Sequence, residues 1–261
     1  MAIQLNDRDQ LIFKLIEEHH VLLEKHIAWF ISKDSKPVLI RDRLRKLFYL
    51  DYLLCGRHAE ILPWWTTPTK PLVYTLSALA RHTISGVDPA CDLNDNRVQR
   101  HFLEIANLRM LFLVAQRDGH ISSVEWTTTH NSPVDAKISF MAGGEQRQIG
   151  IVNSPRVTGD KLIPQLETAL NEPGVRQLWI TCQDDIHQAL LQEIIAAAPL
   201  LKDRVLFATH PNLYNLGIAK SQWQTADRRR ISIVETTVDA APTVTNNILP
   251  VPIVFPHAAT A

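Results

Sequence analysis

Glycine is scarce in this chain, with only nine in 261 residues. None of the nine falls in the glycine-rich pattern that wraps phosphates in nucleotide-hydrolysing enzymes, and the Gly-x-Ser-x-Gly motif of serine hydrolases is absent. These absences exclude two large classes of enzyme. Together with the features below, they lead us to expect a binding protein rather than an enzyme.

Cysteine and long apolar runs are scarce as well. Cys55, Cys91 and Cys182 lie far apart, and no two of them have the spacing of a metal clip. The chain has no run of about eighteen apolar residues, and its start, MAIQLNDRDQ, lacks the apolar stretch of a signal peptide. We therefore expect a cytoplasmic protein with no membrane-spanning segment, no metal and no cofactor.

Net charge is absent overall but is unevenly distributed. Lysine plus arginine and aspartate plus glutamate each number 27. Residues 1–85 contain twelve basic and nine acidic side chains, and the remainder contains fifteen and eighteen. The first third is therefore net positive, which favours an anionic partner for that part of the chain.

Residues 1–85 predict a winged helix-turn-helix domain. Helical periodicity is present in RDQLIFKLIEE, in LLEKHIAWFI and from about Val38 to Leu50, with Asn6 or Asp7 capping the first helix. The runs YLLCGR and LVYTLS predict a two-stranded hairpin, and SALARHTI predicts a closing helix. Three helices followed by a hairpin are typical of this DNA-binding fold.

The rest of the chain predicts a linker, an α/β domain and a tail. Residues 86–96, GVDPACDLNDN, have a linker composition, and residues 236–261 are rich in Thr, Pro and Ala. Between them, residues 97–235 begin with a long helix that ends at Gly119, followed by three strands and then alternating helices and strands. Gly143 and Gly144 predict a hairpin between the second and third strands. The fold class is α+β.

The third helix is the candidate DNA-reading element. On a helical wheel Ile40, Leu44 and Leu47 share one side, and charged residues with Tyr49 occupy the other. Basic side chains in this position of a helix-turn-helix domain reach base edges and phosphates. The alternative is an ordinary solvated face. The predicted DNA-contacting residues of this region are Arg41, Arg43, Arg45 and Lys46, of which Arg43 lies beside the core face, with Lys33 and Lys36 near the start of the helix.

The hairpin supplies further candidates. Arg57 and Lys70 flank its loop, where basic residues of a wing lie along the DNA backbone or in the minor groove. Trp64 and Trp65 lie between them. For this pair we expect packing against the hairpin or a dimer mate, because duplex DNA hides the faces of its bases.

An ordered series of motifs resembles the replication-relaxation family of plasmid and mobile-element proteins. The series runs from LNDRDQLIFKLIEE through IRDRLRKLFYLDYLLCGR and LVYTLSALAR to HFLEIANLRMLFL, QLWITC, RVLFAT and NLGIAKSQW. The resemblance implies a double-stranded DNA-binding protein in plasmid replication, relaxation or conjugative transfer. In this chain Asp51 replaces the family's usual glycine between the third helix and the wing, and aspartate tolerates the left-handed backbone conformation that glycine supplies.

The α/β part also resembles a degenerate restriction-endonuclease-like fold. Enzymes of that kind hold Mg²⁺ with an Asp on one strand and a carboxylate, one residue from a Lys, on the next. Asp135 could be the first ligand, but Ile151 and Asn153 stand where the acid and the lysine belong. We therefore expect a silent scaffold that serves dimerisation or partner recruitment. A magnesium-dependent nuclease and a protein-interaction adaptor, with the winged helix as its docking module, are the alternatives to a homodimeric DNA-binding regulator.

Overall fold

The computed structural model of the chain describes residues 5–32, 39–86, 89, 91–155 and 161–234 and has a mixed α and β fold. Lys33, Lys36 and the tail lie outside the described residues. A first unit contains four helices and a three-stranded sheet. Its elements are α1 (Asp7–His19), β1 (Leu22–Leu23), α2 (Glu24–Ile31), α3 (Arg41–Tyr49), β2 (Leu53–Arg57), β3 (Leu72–Leu76) and α4 (Ala78–Ile84).

Helix α1 begins directly after its N-cap residue, Asn6. The Asn6 side chain accepts a hydrogen bond from the Asp9 amide at 3.0 Å, and the Asp9 carboxylate accepts one from the Asn6 amide at 2.9 Å. This capping box satisfies two amides that a helix start otherwise leaves unpaired. The predicted Asn6 cap is confirmed.

The sheet of the first unit has the order β1-β3-β2 and is antiparallel throughout. Leu22 and Leu23, predicted as the start of the second helix, instead pair with Tyr74 and Val73 of β3. That prediction was wrong because both leucines are buried and satisfy their backbone groups across the sheet. Between α3 and β2 the backbone of Asp51 is left-handed, with φ of 58°, which confirms the reason given for aspartate there.

A second unit is built on a seven-stranded sheet of order β10-β9-β8-β7-β6-β5-β4. Strands β4 to β6 form an antiparallel meander, β6 to β8 are parallel, and β9 and β10 return antiparallel. The elements are α5 (Asn96–Arg117), β4 (Ser122–Thr128), β5 (Ala136–Ala142), β6 (Glu145–Asn153), α6 (Leu162–Leu170), β7 (Gln177–Cys182), α7 (Asp185–Ala196), α8 (Pro199–Lys202), β8 (Val205–Thr209), α9 (His210–Lys220), β9 (Trp223–Gln224) and β10 (Arg230–Ile231).

Helices cover both faces of this sheet, as the alternation predicted. Helices α5 and α9 pack on one face around Trp179 and Trp223, whose rings lie 4.2 Å apart, and α6 to α8 pack on the other. The turns at Gly119, Gly143 and Gly144 all have positive φ, which confirms the predicted helix end and hairpin. Among the described residues, no helix is both long and apolar enough to cross a membrane.

The long helix α5 belongs to both units. Leu103 and Ala106 pack with residues of α1, β1 and β3 in the first unit. Leu108 and Phe112 pack in the core of the seven-stranded sheet. One helix, α5, therefore contributes to the hydrophobic cores of both units.

Candidate nucleic-acid interface

The outward side of α3 is exposed. Leu44 and Leu47 are fully buried on its inner side, as the helical wheel predicted. On the outer side Arg41 and Arg45 expose 74% and 60% of their side chains, and Lys46 and Tyr49 are exposed as well. The structure therefore places three of the four predicted contacts of α3 on one accessible face.

Two of these cations have acidic neighbours. The Nε atom of Arg41 donates to the Glu24 carboxylate at the start of α2, with N–O distances of 3.1 and 3.2 Å. Arg45 Nη2 lies 3.5 Å from Asp42 Oδ1 on the same helix. Both pairs are solvated and therefore weak. A phosphate could replace either carboxylate at small cost.

Arg43 faces the interior instead. Its Nε donates to Asp9 Oδ1 at 2.6 Å, and its Nη2 donates to Oδ2 of the same carboxylate, which is fully buried. Burial raises the pKa of Asp9, but the hydrogen bonds from Arg43 and from the Asn6 amide outweigh it, so the pKa lies below its usual value. This guanidinium joins α3 to α1, and a DNA contact by Arg43 stays a prediction.

The hairpin places the other two candidates side by side. Arg57 ends β2, and its Nη1 donates to the backbone carbonyl of Lys70 at 3.0 Å. Both side chains are exposed. They lie in the same hairpin that follows α3, although no described contact joins them to the exposed face of that helix.

The hairpin loop between β2 and β3 packs against the second unit. Trp64 meets the ring of Tyr214 edge-on with centroids 4.9 Å apart, and Arg100 lies 3.7 Å from Glu60. Trp65 Nε1 donates to the Thr69 carbonyl within the loop at 2.6 Å. Trp65 therefore packs within the hairpin, as expected, whereas Trp64 also packs on the chain's own second unit, a contact that was not predicted.

The candidate metal ligand Asp135 is engaged in hydrogen bonds. His101 Nε2 lies 3.0 Å from its Oδ1, and the Asn153 amide donates to its Oδ2 at 2.7 Å. Burial lowers the pKa of His101, but Asp135 and then Glu104 outweigh this effect and raise it. Within the described ranges, no three His, Cys, Asp or Glu side chains are grouped to hold a metal ion.

A buried polar network lies beside Asp135 at the carboxyl ends of β6, β7 and β8. Asn153 Nδ2 donates to Glu104 at 2.8 Å, and its Oδ1 accepts from Thr181 at 2.6 Å and lies 2.8 Å from His210 Nε2. Arg100 donates to the other oxygen of Glu104 at 2.9 Å. Sequence reasoning missed this network, and the signal for it was Glu104, an acidic residue within the largely apolar run FLEIANL.

Compared with known proteins, the chain matches no family model, no curated protein and no solved structure. The resemblance to the replication-relaxation family therefore stays a prediction from the motifs.

Proposed function

We propose that this protein binds double-stranded DNA through the outward face of α3, with the hairpin contacting the backbone beside it. The observation that carries the proposal is the exposure of Arg41, Arg45 and Lys46 on a helix whose opposite side is core. Guanidinium groups recognise guanine edges and phosphates in pairs of hydrogen bonds, and ammonium groups neutralise phosphates.

The order of elements supports the same proposal. Helix, strand, helix, helix, two strands and a closing helix follow one another through residues 7–84. This is the order of a winged helix-turn-helix domain, in which the helix before the hairpin enters the major groove. The family resemblance supports a role as a transcriptional regulator or as an accessory factor in plasmid replication or transfer.

For the second unit we propose a scaffold role. Its order α5-β4-β5-β6-α6-β7 is also the order in which restriction-endonuclease-like domains begin. Ile151, at the position of the second acid, is buried, and Asn153 is engaged in the polar network. These contacts favour a catalytically silent domain. Its scaffold role would be to support a homodimer, the common state of proteins that read paired half-sites.

The test is duplex binding by a charge-neutral variant of α3. Arg45 and Lys46 are exposed, and neither side chain has a hydrogen bond or ion pair with another described element, so Arg45→Gln/Lys46→Gln should fold normally. We expect its affinity for a labelled duplex to fall by about tenfold or more, as two charge-assisted contacts imply. The matched control, Lys161→Gln/Arg176→Gln, removes two exposed cations outside α3 and the hairpin and should bind like the wild type. Equal affinity of the α3 variant and the control would overturn the proposal.

One observation favours a second candidate function, a protein-docking adaptor. Apolar side chains are exposed beside the cations of α3: Tyr49 exposes 74%, Leu54 55% and Phe48 40% of its surface. Aromatic residues with arginine are typical of protein interfaces. Absence of duplex binding at low salt, together with retained self-association, would favour the adaptor over the DNA-binding protein.

A further inference from the structure

An open cleft of about 430 Å³ lies at one edge of the seven-stranded sheet. It is formed by the end of α9, by the edge strand β10 and by the turn after α5. Its volume is in the range of ligand pockets. The feature is distant in sequence from α3, and the proposed function does not use it.

The charged side chains that line the cleft are all basic. His120, Lys220 and Arg230 line it, and none of its described lining residues is acidic. Lys220 and Arg230 are exposed and make no ion pair with another described residue. The rest of the wall is formed by the neutral polar residues Ser221, Gln222 and Ser232 and by the apolar residues Ala219, Ile231 and Val234. Unpaired cations converging on a concave surface favour an anionic occupant.

The adjoining turn between β9 and β10 extends the positive surface. Arg228, Arg229 and Arg230 follow one another and are all exposed. Asp227 lies 3.5 Å from Arg229 and 3.2 Å from Lys202, so its carboxylate is shared between those two cations and leaves Arg228 and Arg230 available. A run of guanidinium groups along an open edge suits a repeated anion better than a single one.

The cleft is also connected to the helix-turn-helix side of the molecule. At the end of α5 the guanidinium of Arg117 lies 5.0 Å from the ring centre of Trp29, in the last turn of α2. His120 follows three residues later, so its backbone lies within about 11 Å of Arg117. Helix α2 itself is about 12 Å long. The path from α3 to the cleft, through the Arg41–Glu24 contact, α2 and the end of α5, is therefore comparable in length with one turn of duplex DNA, about 34 Å.

We propose that this cleft binds phosphate groups of a nucleic acid and forms a second contact surface for the duplex on α3. Lys220 and Arg230 neutralise the backbone, and Arg228 extends the contact along the strand. The inference rests on the proposed function for its partner. Its residues are separate from those of α3, so the two surfaces can be tested independently.

The experiment measures duplex binding as a function of salt for three variants of the full chain. Lys220→Gln/Arg230→Gln should bind about tenfold more weakly and should reduce the slope of log affinity against log salt by about 1.8, since each phosphate contact contributes about 0.9. Arg45→Gln/Lys46→Gln is the α3 variant, and Lys161→Gln/Arg176→Gln is the charge-matched control. Thermal unfolding of each variant checks the fold.

The outcomes separate the two proposals. Weakening by the cleft variant and by the α3 variant, with an unchanged control, supports both. A cleft variant with wild-type affinity and slope overturns the cleft proposal alone. A weakened cleft variant beside an unaffected α3 variant overturns the role of α3 and leaves the cleft as the nucleic-acid contact. No binding by the wild type overturns both.

Discussion

Arg43 of α3 and Asp9 of α1 form an ion pair with two hydrogen bonds inside the first unit. The same carboxylate accepts the Asn6 amide and closes the capping box of α1. One buried side chain thus caps the first helix and holds the cationic helix in place. The orientation of the exposed face of α3 depends on it.

Replacing Arg43 should destabilise the fold strongly. In Arg43→Met the Asp9 carboxylate stays buried without its cation, and breaking one side of such a pair costs about 3 kcal/mol or more. Urea unfolding at pH 7 measures the loss of free energy. Arg8→Met, which removes an exposed arginine one residue from Asp9, is the matched control and should change the free energy by less than about 1 kcal/mol.

Arg43→Met should also reverse the sign of the contribution that Asp9 makes to the pH dependence of the unfolding free energy. In the wild type the pKa of Asp9 is lowered, so its stabilisation is present above its unfolded pKa of about 3.9 and is lost as the pH falls through the folded pKa. Without Arg43, burial raises this pKa and protonation favours the folded state. The difference in unfolding free energy between wild type and Arg43→Met should therefore shrink from pH 7 to pH 3, and a constant difference would contradict this reasoning.

His20 should make the protein sensitive to mild acid. Burial, and then the charge of His130, lower its pKa to about 4, whereas an unfolded histidine titrates near 6.5. The folded state favours the neutral imidazole of His20. The contribution of His20 to the unfolding free energy is therefore fully present above about pH 6.5 and is lost as the pH falls towards 4. His20→Asn keeps a residue that tolerates the left-handed φ of 58°. Between about pH 6.5 and pH 4 the wild type should lose more unfolding free energy than His20→Asn does. We expect this difference to be on the order of 2 kcal/mol. His82→Asn at an exposed site should follow the wild type.

Asn153 should be hard to replace. In Asn153→Leu the hydroxyl of Thr181, one oxygen of Glu104 and His210 Nε2 lose their partner inside the protein. Orphaned buried polar groups cost about 1–3 kcal/mol each, so we expect a loss of at least about 3 kcal/mol in chemical denaturation. Gln146→Leu, at an exposed position of the same strand, should change stability by less than about 1 kcal/mol. A similar small effect at both positions would show that the network does not stabilise the fold.

The hairpin loop should loosen when Trp64 is truncated. Trp64 packs on Tyr214, and Glu60 pairs with Arg100, so the second unit restrains this loop. In Trp64→Ala we expect faster amide hydrogen exchange in residues 58–70, measured by mass spectrometry. Ile61→Ala, at a side chain that is 88% exposed, is the control. Unchanged exchange in Trp64→Ala would mean that the loop is held by its own contacts.

Local features of the fold could be predicted from the sequence because their causes are local. The cap at Asn6, the left-handed Asp51 and the buried side of α3 each depend on residues within a few positions of one another. Helix α9 was missed because HPNLYNLGIAK contains proline, two asparagines and glycine, and its Gly217 is indeed non-helical, with φ of 73°. Strands of two residues, such as β1 and β10, carry too little periodicity to be recognised.

The features that could not be predicted join residues far apart in the chain. Arg43 and Asp9 are 34 positions apart, and Asn153 and Glu104 are 49 apart. A helical wheel places Arg43 beside the core face, but its partner, a buried acid 34 residues away, leaves no trace in the local pattern. The cationic cleft was equally hidden, because His120 and Arg230 meet only when the sheet forms.

Helix α5 supplies side chains to the interior of both units. The first unit, which contains α3, therefore cannot be moved to another protein without α5. A chimera that transplants residues 5–86 to a new host would leave Leu103 and Ala106 behind and open the rear of the first unit to water. Engineering that moves this unit, or exchanges it between regulators, should cut the chain after Arg117 and carry the shared helix along.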